Sequence, residues 1–212
     1  MLNLDPLTLI SRLITLVIAL TFHEFAHAKT ADAFGDPTPR MHGRLTLNPL
    51  AHLDPLGSLM MVFAGFGWAR PVPVNPYALG KRSPAAYMLV SLAGPLSNFL
   101  LAALAAIPLR FNLLNPLSGG GLEVALFNFL SQFIFLNLIL AFFNLIPLAP
   151  LDGDKVAEYF FPPSWAQTLE RIRPYGPIIL LVLLFGLPML GIDVFGALLI
   201  PPIRTVYFLL TG

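Results

Sequence analysis

Long apolar runs constrain this chain more than any other feature. Residues 84–109 and 174–190 carry no charged side chain, and residues 122–148 carry only Glu123. Residues 7–28 form a fourth run of 22 residues, interrupted only by Arg12 and by a polar end at His23, Glu24 and His27. A helix of that length reaches ~33 Å, enough to cross the hydrocarbon of a bilayer. Composition agrees: 57% of the 212 residues are hydrophobic, 11% are charged, and mean hydropathy is +0.78. An ordinary soluble domain has about 25% charged residues. A soluble enzyme is thereby excluded, and the net charge of +1 gives no reason to expect nucleic acid as a partner.

The predicted fold is an all-α polytopic membrane protein, one domain over residues 1–212, with about four to five transmembrane helices in a lipid bilayer. Residues 194–210 are ambiguous between a span and a partial helix, because Pro201, Pro202 and Arg204 interrupt them. Residues 56–66 are apolar but too short to cross, which predicts a re-entrant or interfacial helix. Residues 43–47 and 68–74 read as short strands, a small β-hairpin or sheet near the site. Residues 163–173 read as an amphipathic stretch resting on the membrane surface. No small-residue cleavage site follows a short apolar core in the first run, so it does not read as a removable signal peptide. The many prolines and glycines argue against plain spans, since irregular backbone at membrane depth lines a cavity or site.

If residues 56–66 do not cross, segments 29–83 and 152–173 share one face. That face collects nine of the twelve basic residues, the others being Arg12, Arg110 and Arg204. The positive-inside rule then predicts a cytosolic basic face and an N-terminus outside.

The first run ends in His23-Glu24-Phe25-Ala26-His27. Helix positions i and i+4 share a face, so both imidazoles can reach one metal while Glu24 lies beside its water. Three ionisable groups in the last third of a span are costly without a function. The chain has no cysteine, so any metal must be held by imidazole and carboxylate. A catalytic zinc needs a third protein ligand and an open position. Asp152 is the best carboxylate: it follows the 122–148 run on the same predicted side as His27, in a turn made by Pro147, Pro150 and Gly153.

These residues resemble the site-2 protease family of intramembrane zinc metalloproteases. The likeness covers most of 20–155: His23 to His27, the Gly-Arg-Leu-Thr-Leu-Asn-Pro-Leu-Ala-His-Leu-Asp-Pro-Leu-Gly run at 43–57, Gly-Trp-Ala-Arg-Pro-Val-Pro-Val-Asn-Pro at 67–76, Gly-Pro-Leu-Ser-Asn at 94–98, and residues 144–153. The resemblance implies cleavage of a peptide bond in or near the transmembrane helix of a protein substrate, one Zn2+ per chain held by His23, His27 and Asp152, and Glu24 as general base. The basic-residue bias and the parity of the spans place the expected site within the membrane near the cytosolic side. Asp154 stands where the family often has a second glycine, and no PDZ or CBS domain accompanies the core.

Asn98 and Asn144 stand at family motif positions. They are expected to hold substrate or the oxyanion, against interhelical hydrogen bonding as the plainer use. In the 68–74 stretch, Pro71 and Pro73 remove donors from one edge and leave Arg70, Val72 and Val74 to offer theirs on the other. That edge is expected either to receive unwound substrate or to pair with residues 43–47. For His42, His52 and Asp54, ordering of the 40–55 loop by hydrogen bonds is favoured over a second metal site. A different class, a membrane metal-ion transporter using the His/Glu/Asp cluster as a transit site, fits less well. Transporters bind near the midplane and often carry inverted repeats, whereas this cluster lies near one face and no repeat is visible.

Overall fold

The computed structural model describes residues 6–63, 67–114, 116 and 120–212. Five helical stretches are long and apolar enough to cross a bilayer: Pro6–Ala33, Ala86–Arg110, Gly121–Asn144, Pro163–Met189 and Val194–Thr211. The first, α1 (Pro6–Ala33), outruns its expected end by a full turn. Lys29 to Ala33 contain nothing that breaks a helix, and the chain reverses only at Gly35, whose φ of 86° suits a residue without a Cβ.

A short helix α2 (Thr38–Met41) and a 3-10 turn at Pro49–Ala51 lead to α3 (Pro55–Phe63). Asp54 caps α3, accepting the Gly57 N–H at 2.9 Å. At nine residues α3 is ~13 Å long, too short to cross, as expected for 56–66; residues 64–66 lie outside the described residues. The helix α4 (Pro76–Arg82) is capped by Asn75 and precedes α5 (Ala86–Arg110) and α6 (Gly121–Asn144). The latter stops short of the expected Leu148, because Pro147 has no N–H to donate and disfavours helical backbone in Ile146.

Beyond α7 (Gly153–Phe160), the expected surface stretch and the span after it are one continuous helical run. It comprises α8 (Pro163–Ile172), a 3-10 turn at Arg173–Tyr175, α9 (Gly176–Leu181), a π turn at Val182–Gly186 and α10 (Leu187–Met189). Pro174, Pro177 and Pro188 each delete a ladder donor, and the run changes pitch around them instead of ending. The last helix, α11 (Val194–Thr211), stays helical through Pro201 and Pro202, which makes it long enough to span.

The core lies where α5 packs against both α1 and α6. Ala102 and Ala106 of α5 are buried against Ile134 and Leu138 of α6 and Leu199 and Ile203 of α11. Small residues let these backbones approach closely in an apolar solvent, where packing rather than water exclusion holds helices together.

The expected strands form no ladder among the described residues. Residues 43–47 are turn and bend, and residues 68–74 make one isolated antiparallel bridge, Ala69 with Leu53. The donors explain this. Arg70 N–H goes to the His52 carbonyl at 2.7 Å, Val72 N–H points at Glu24, and Pro71 and Pro73 have none to give. The backbone of the segment therefore pairs with residues 52–53 rather than with the backbone of 43–47.

Candidate metal centre

His23 and His27 are buried one turn apart on α1, with ring centroids 4.6 Å apart. The loop after α6 brings Asp152 to them from the opposite side. Its Oδ2 lies 3.1 Å from His23 Nε2 and 3.4 Å from His27 Nε2. The approach depends on Gly153, where a Cβ would collide with the carbonyls of Leu145 and Ile146. Asp152 also starts α7, its carbonyl accepting the N–H groups of Lys155 and Val156 at 3.0 and 3.2 Å. Burial opposes ionisation of the Asp152 carboxyl, but positive charge on protonated His27 and His23 rings outweighs it and holds the group well below the usual carboxylate range, a charge that a bound cation would supply in their place. The carboxylate is the anion that a metal requires.

One ligand atom from each of these residues lies within 4.8 Å of the other two, the one such cluster among the described residues. The far side of each ring fits metal ligation equally well. His23 Nδ1 donates to Asn98 Oδ1 at 2.7 Å, and His27 Nδ1 donates to the Val90 carbonyl at 2.7 Å. With the proton on Nδ1, the Nε2 lone pairs of both rings face Asp152. Two neutral imidazoles and a carboxylate, with an adjacent unbound glutamate, are the donor set of a catalytic zinc site.

The Asn98 carboxamide can point only one way. Its NH2 donates to the Ala19 carbonyl at 3.1 Å and to Asn137 Oδ1 at 3.0 Å, so its oxygen must face His23. The side chain is fully buried, behind the ring rather than at an open face. Asn144 is half-buried, and its NH2 donates to the Leu140 carbonyl at 3.0 Å, one turn back on α6. Asp154 is buried, but Arg173 grips both its oxygens at 2.8 and 3.4 Å, and it stays outside the cluster.

Glu24 is buried, with Oε2 3.2 Å from the Val72 N–H. The other residues of that segment face elsewhere. The Arg70 side chain is exposed, while Val74 packs against the cluster of Ala31, Leu79, Ala86 and Val90. His42 Nδ1 donates to the Thr38 carbonyl at 2.9 Å, His52 Nε2 donates to the Thr46 carbonyl at 2.7 Å, and Asp54 caps α3. All three order the loop, as favoured from sequence.

Sequence reasoning missed Asn137, Arg44 and Asp36. Asn137 is an amide in mid-span, a signal in itself because unpaired polar groups are costly in lipid. Asp36 is fully buried and accepts Thr38 Oγ1 at 2.6 Å and the Asn75 N–H at 2.6 Å, tying the 72–75 segment to the end of α1.

Gly94 touches the site most closely. A Cβ there would collide with His27 Nε2 and lie 2.6 Å from His23 Nε2. Gly94→Ala is expected to weaken zinc binding at least tenfold, the low end of what disturbing a ligand's supports costs, with little change in thermal stability. Metal analysis against a competing chelator checks this; wild-type zinc affinity in Gly94→Ala would contradict the placement of the rings.

A membrane metallopeptidase is what this geometry defines, and relatives agree. The family model of Peptidase family M50 matches residues 119–185, which include Asp152. A Bacillus subtilis (strain 168) protein named as a zinc metalloprotease, YwhC, is 45% identical over 185 residues, covering 84% of this chain and 82% of the relative. Rip2 of Mycobacterium tuberculosis (strain H37Rv), also named as a zinc metalloprotease, is 34% identical over 85% of this chain and 68% of its own length. Rip2 of Mycolicibacterium smegmatis is 30% identical over 79% of this chain and 64% of its own length. No solved structure matches the chain significantly. The chain belongs to the site-2 protease family, peptidase family M50, and is an integral membrane zinc metalloprotease.

Proposed function

We propose that the chain is a single-domain, zinc-dependent intramembrane endopeptidase that hydrolyses a peptide bond in or near the transmembrane helix of a protein substrate. The observation that carries this is the His23–His27–Asp152 cluster, with Glu24 beside it, on a helix apolar enough to span. His23, His27 and Asp152 would hold one zinc per chain. The chemistry such an ion supplies when bound is Lewis-acid polarisation of the scissile carbonyl and acidification of a water. Glu24 accepts the proton of the attacking water and returns it to the leaving amine nitrogen. Val72 N–H holds one Glu24 oxygen, which leaves the other to carry that proton. Asn98, engaged with His23, Ala19 and Asn137, is assigned to orienting His23. Asn144, at the end of α6 before the Asp152 loop, is assigned to the substrate or its oxyanion. The distribution of basic residues supports a site near the cytosolic face and an N-terminus outside.

The test is incubation of the purified protein in detergent with a single-span peptide, with and without chelator. Cleavage that chelation stops and added zinc restores is expected; no cleavage by the zinc-loaded protein would contradict the proposal.

A helical substrate shields its amides in its own ladder, so several residues must unwind before a carbonyl is accessible. Helix-breaking residues lower that cost by about 1 kcal/mol for Gly and ~3 kcal/mol for Pro. Peptides with Gly, Asn or Pro near the cut are therefore expected to cleave faster than their Leu or Ala counterparts, which competition between paired peptides measures directly.

A further inference from the structure

We infer that Arg44 is a positioning residue for Glu24, acting through the backbone of residues 70–72. This rests on the proposed role of Glu24 as base. Arg44 is only 6% exposed, and its guanidinium is spent on backbone carbonyls. Nη1 donates to Ala51 at 2.8 Å and to Arg70 at 3.0 Å, and Nη2 donates to Pro71 at 3.3 Å. One rigid, planar cation thus joins the 3-10 turn at Pro49–Ala51 to the very segment whose next N–H, that of Val72, meets Glu24 Oε2 at 3.2 Å.

The need for such a clamp follows from the sequence. Pro71 and Pro73 deprive the segment of two of the donors that would tie it into a sheet, and no ladder forms. Arg70 N–H to His52 fixes its start and Asn75 N–H to Asp36 fixes its end. Between these anchors, the Arg44 guanidinium holds the carbonyls of Arg70 and Pro71. Without it the Val72 N–H is free to turn away, and Glu24 loses the partner that sets its carboxylate in place.

The prolines make the test clean, since Val72 carries the only backbone N–H in 71–73. Hydrogen exchange on the full chain in detergent micelles, read on fragments covering 71–73, therefore reports a single amide. Slow exchange is expected in the wild type, and fast exchange in both Glu24→Ala and Arg44→Gln. Zinc content should stay at one per chain in Arg44→Gln, while kcat on a single-span peptide falls about 10²-fold at unchanged KM, the scale of a displaced reacting group. Arg44→Lys, which keeps the charge on a single donor nitrogen, should recover part of both signals. Protected Val72 in Arg44→Gln overturns the inference whatever the activity, as does loss of zinc in that variant, or an Arg44→Lys variant as slow as Arg44→Gln. A zinc-loaded wild type that cleaves nothing counts against the proposed function instead, and the exchange measurement still decides the role of Arg44.

Discussion

Glu24→Gln is expected to bind zinc and fold as the wild type does, yet to lose cleavage by at least the ~10²–10⁴-fold that general base catalysis is worth. The amide is nearly isosteric with the carboxylate and can still accept the Val72 N–H through its own oxygen. It cannot take a proton from water. Because Glu24 neighbours His23 without joining the metal cluster, metal content and catalysis should separate in this variant as in no ligand variant. Rate measurements on purified protein of verified zinc content decide the matter, and near-normal turnover would remove Glu24 as the base.

Loss of the third ligand should have the opposite signature. Asp152→Ala is expected to lower zinc affinity by more than the ~10–100-fold typical of disturbing a ligand's supports, because it deletes one of three protein donors. Asp154→Ala is the decisive companion, since the two carboxylates are two residues apart and a family resemblance alone leaves room for either. In the structure Asp154 is committed to Arg173, with Lys155 3.5 Å away, while Asp152 faces both imidazoles. Asp154→Ala should therefore keep its zinc and lose stability. That loss should be smaller than the ~3–5 kcal/mol of a fully buried pair, because the Arg173 side chain is 29% exposed. Metal analysis and thermal unfolding of the two variants, side by side, separate the roles. Full zinc in Asp152→Ala with none in Asp154→Ala would reverse the assignment.

The spans were legible because the bilayer imposes a length and a polarity on any segment that crosses it, and those requirements are local in sequence. Their ends were less so. The Gly35 turn set the end of α1 and Pro147 that of α6, each several residues from where hydrophobicity alone places it. The continuity of Pro163–Met189 was hidden by prolines that a helix absorbs by changing pitch. The strands failed for another reason. Residues 68–74 have strand-like alternation, but a strand needs a partner edge, and here the available donors go to His52 and to the Glu24 side chain. The histidine pair and Glu24 were readable because i, i+4 spacing fixes their relative placement, and Asp152 because its span delivers it to the same predicted side. What holds these groups in place was not readable. Asn137 reaches Asn98 from 39 residues away and Arg44 reaches residues 70 and 71, contacts that only the packing of separate elements creates.

The central claim is that this zinc site cuts a peptide bond in or near a membrane span. The most direct measurement reconstitutes the purified protein and a single-span substrate in liposomes and maps the new termini by mass spectrometry, with Glu24→Gln as control. The account predicts a cut within or at the cytosolic edge of the span, absent in the control and absent after chelation. Cuts confined to water-exposed flanks of the substrate, or cuts that persist in the Glu24→Gln control, would contradict it.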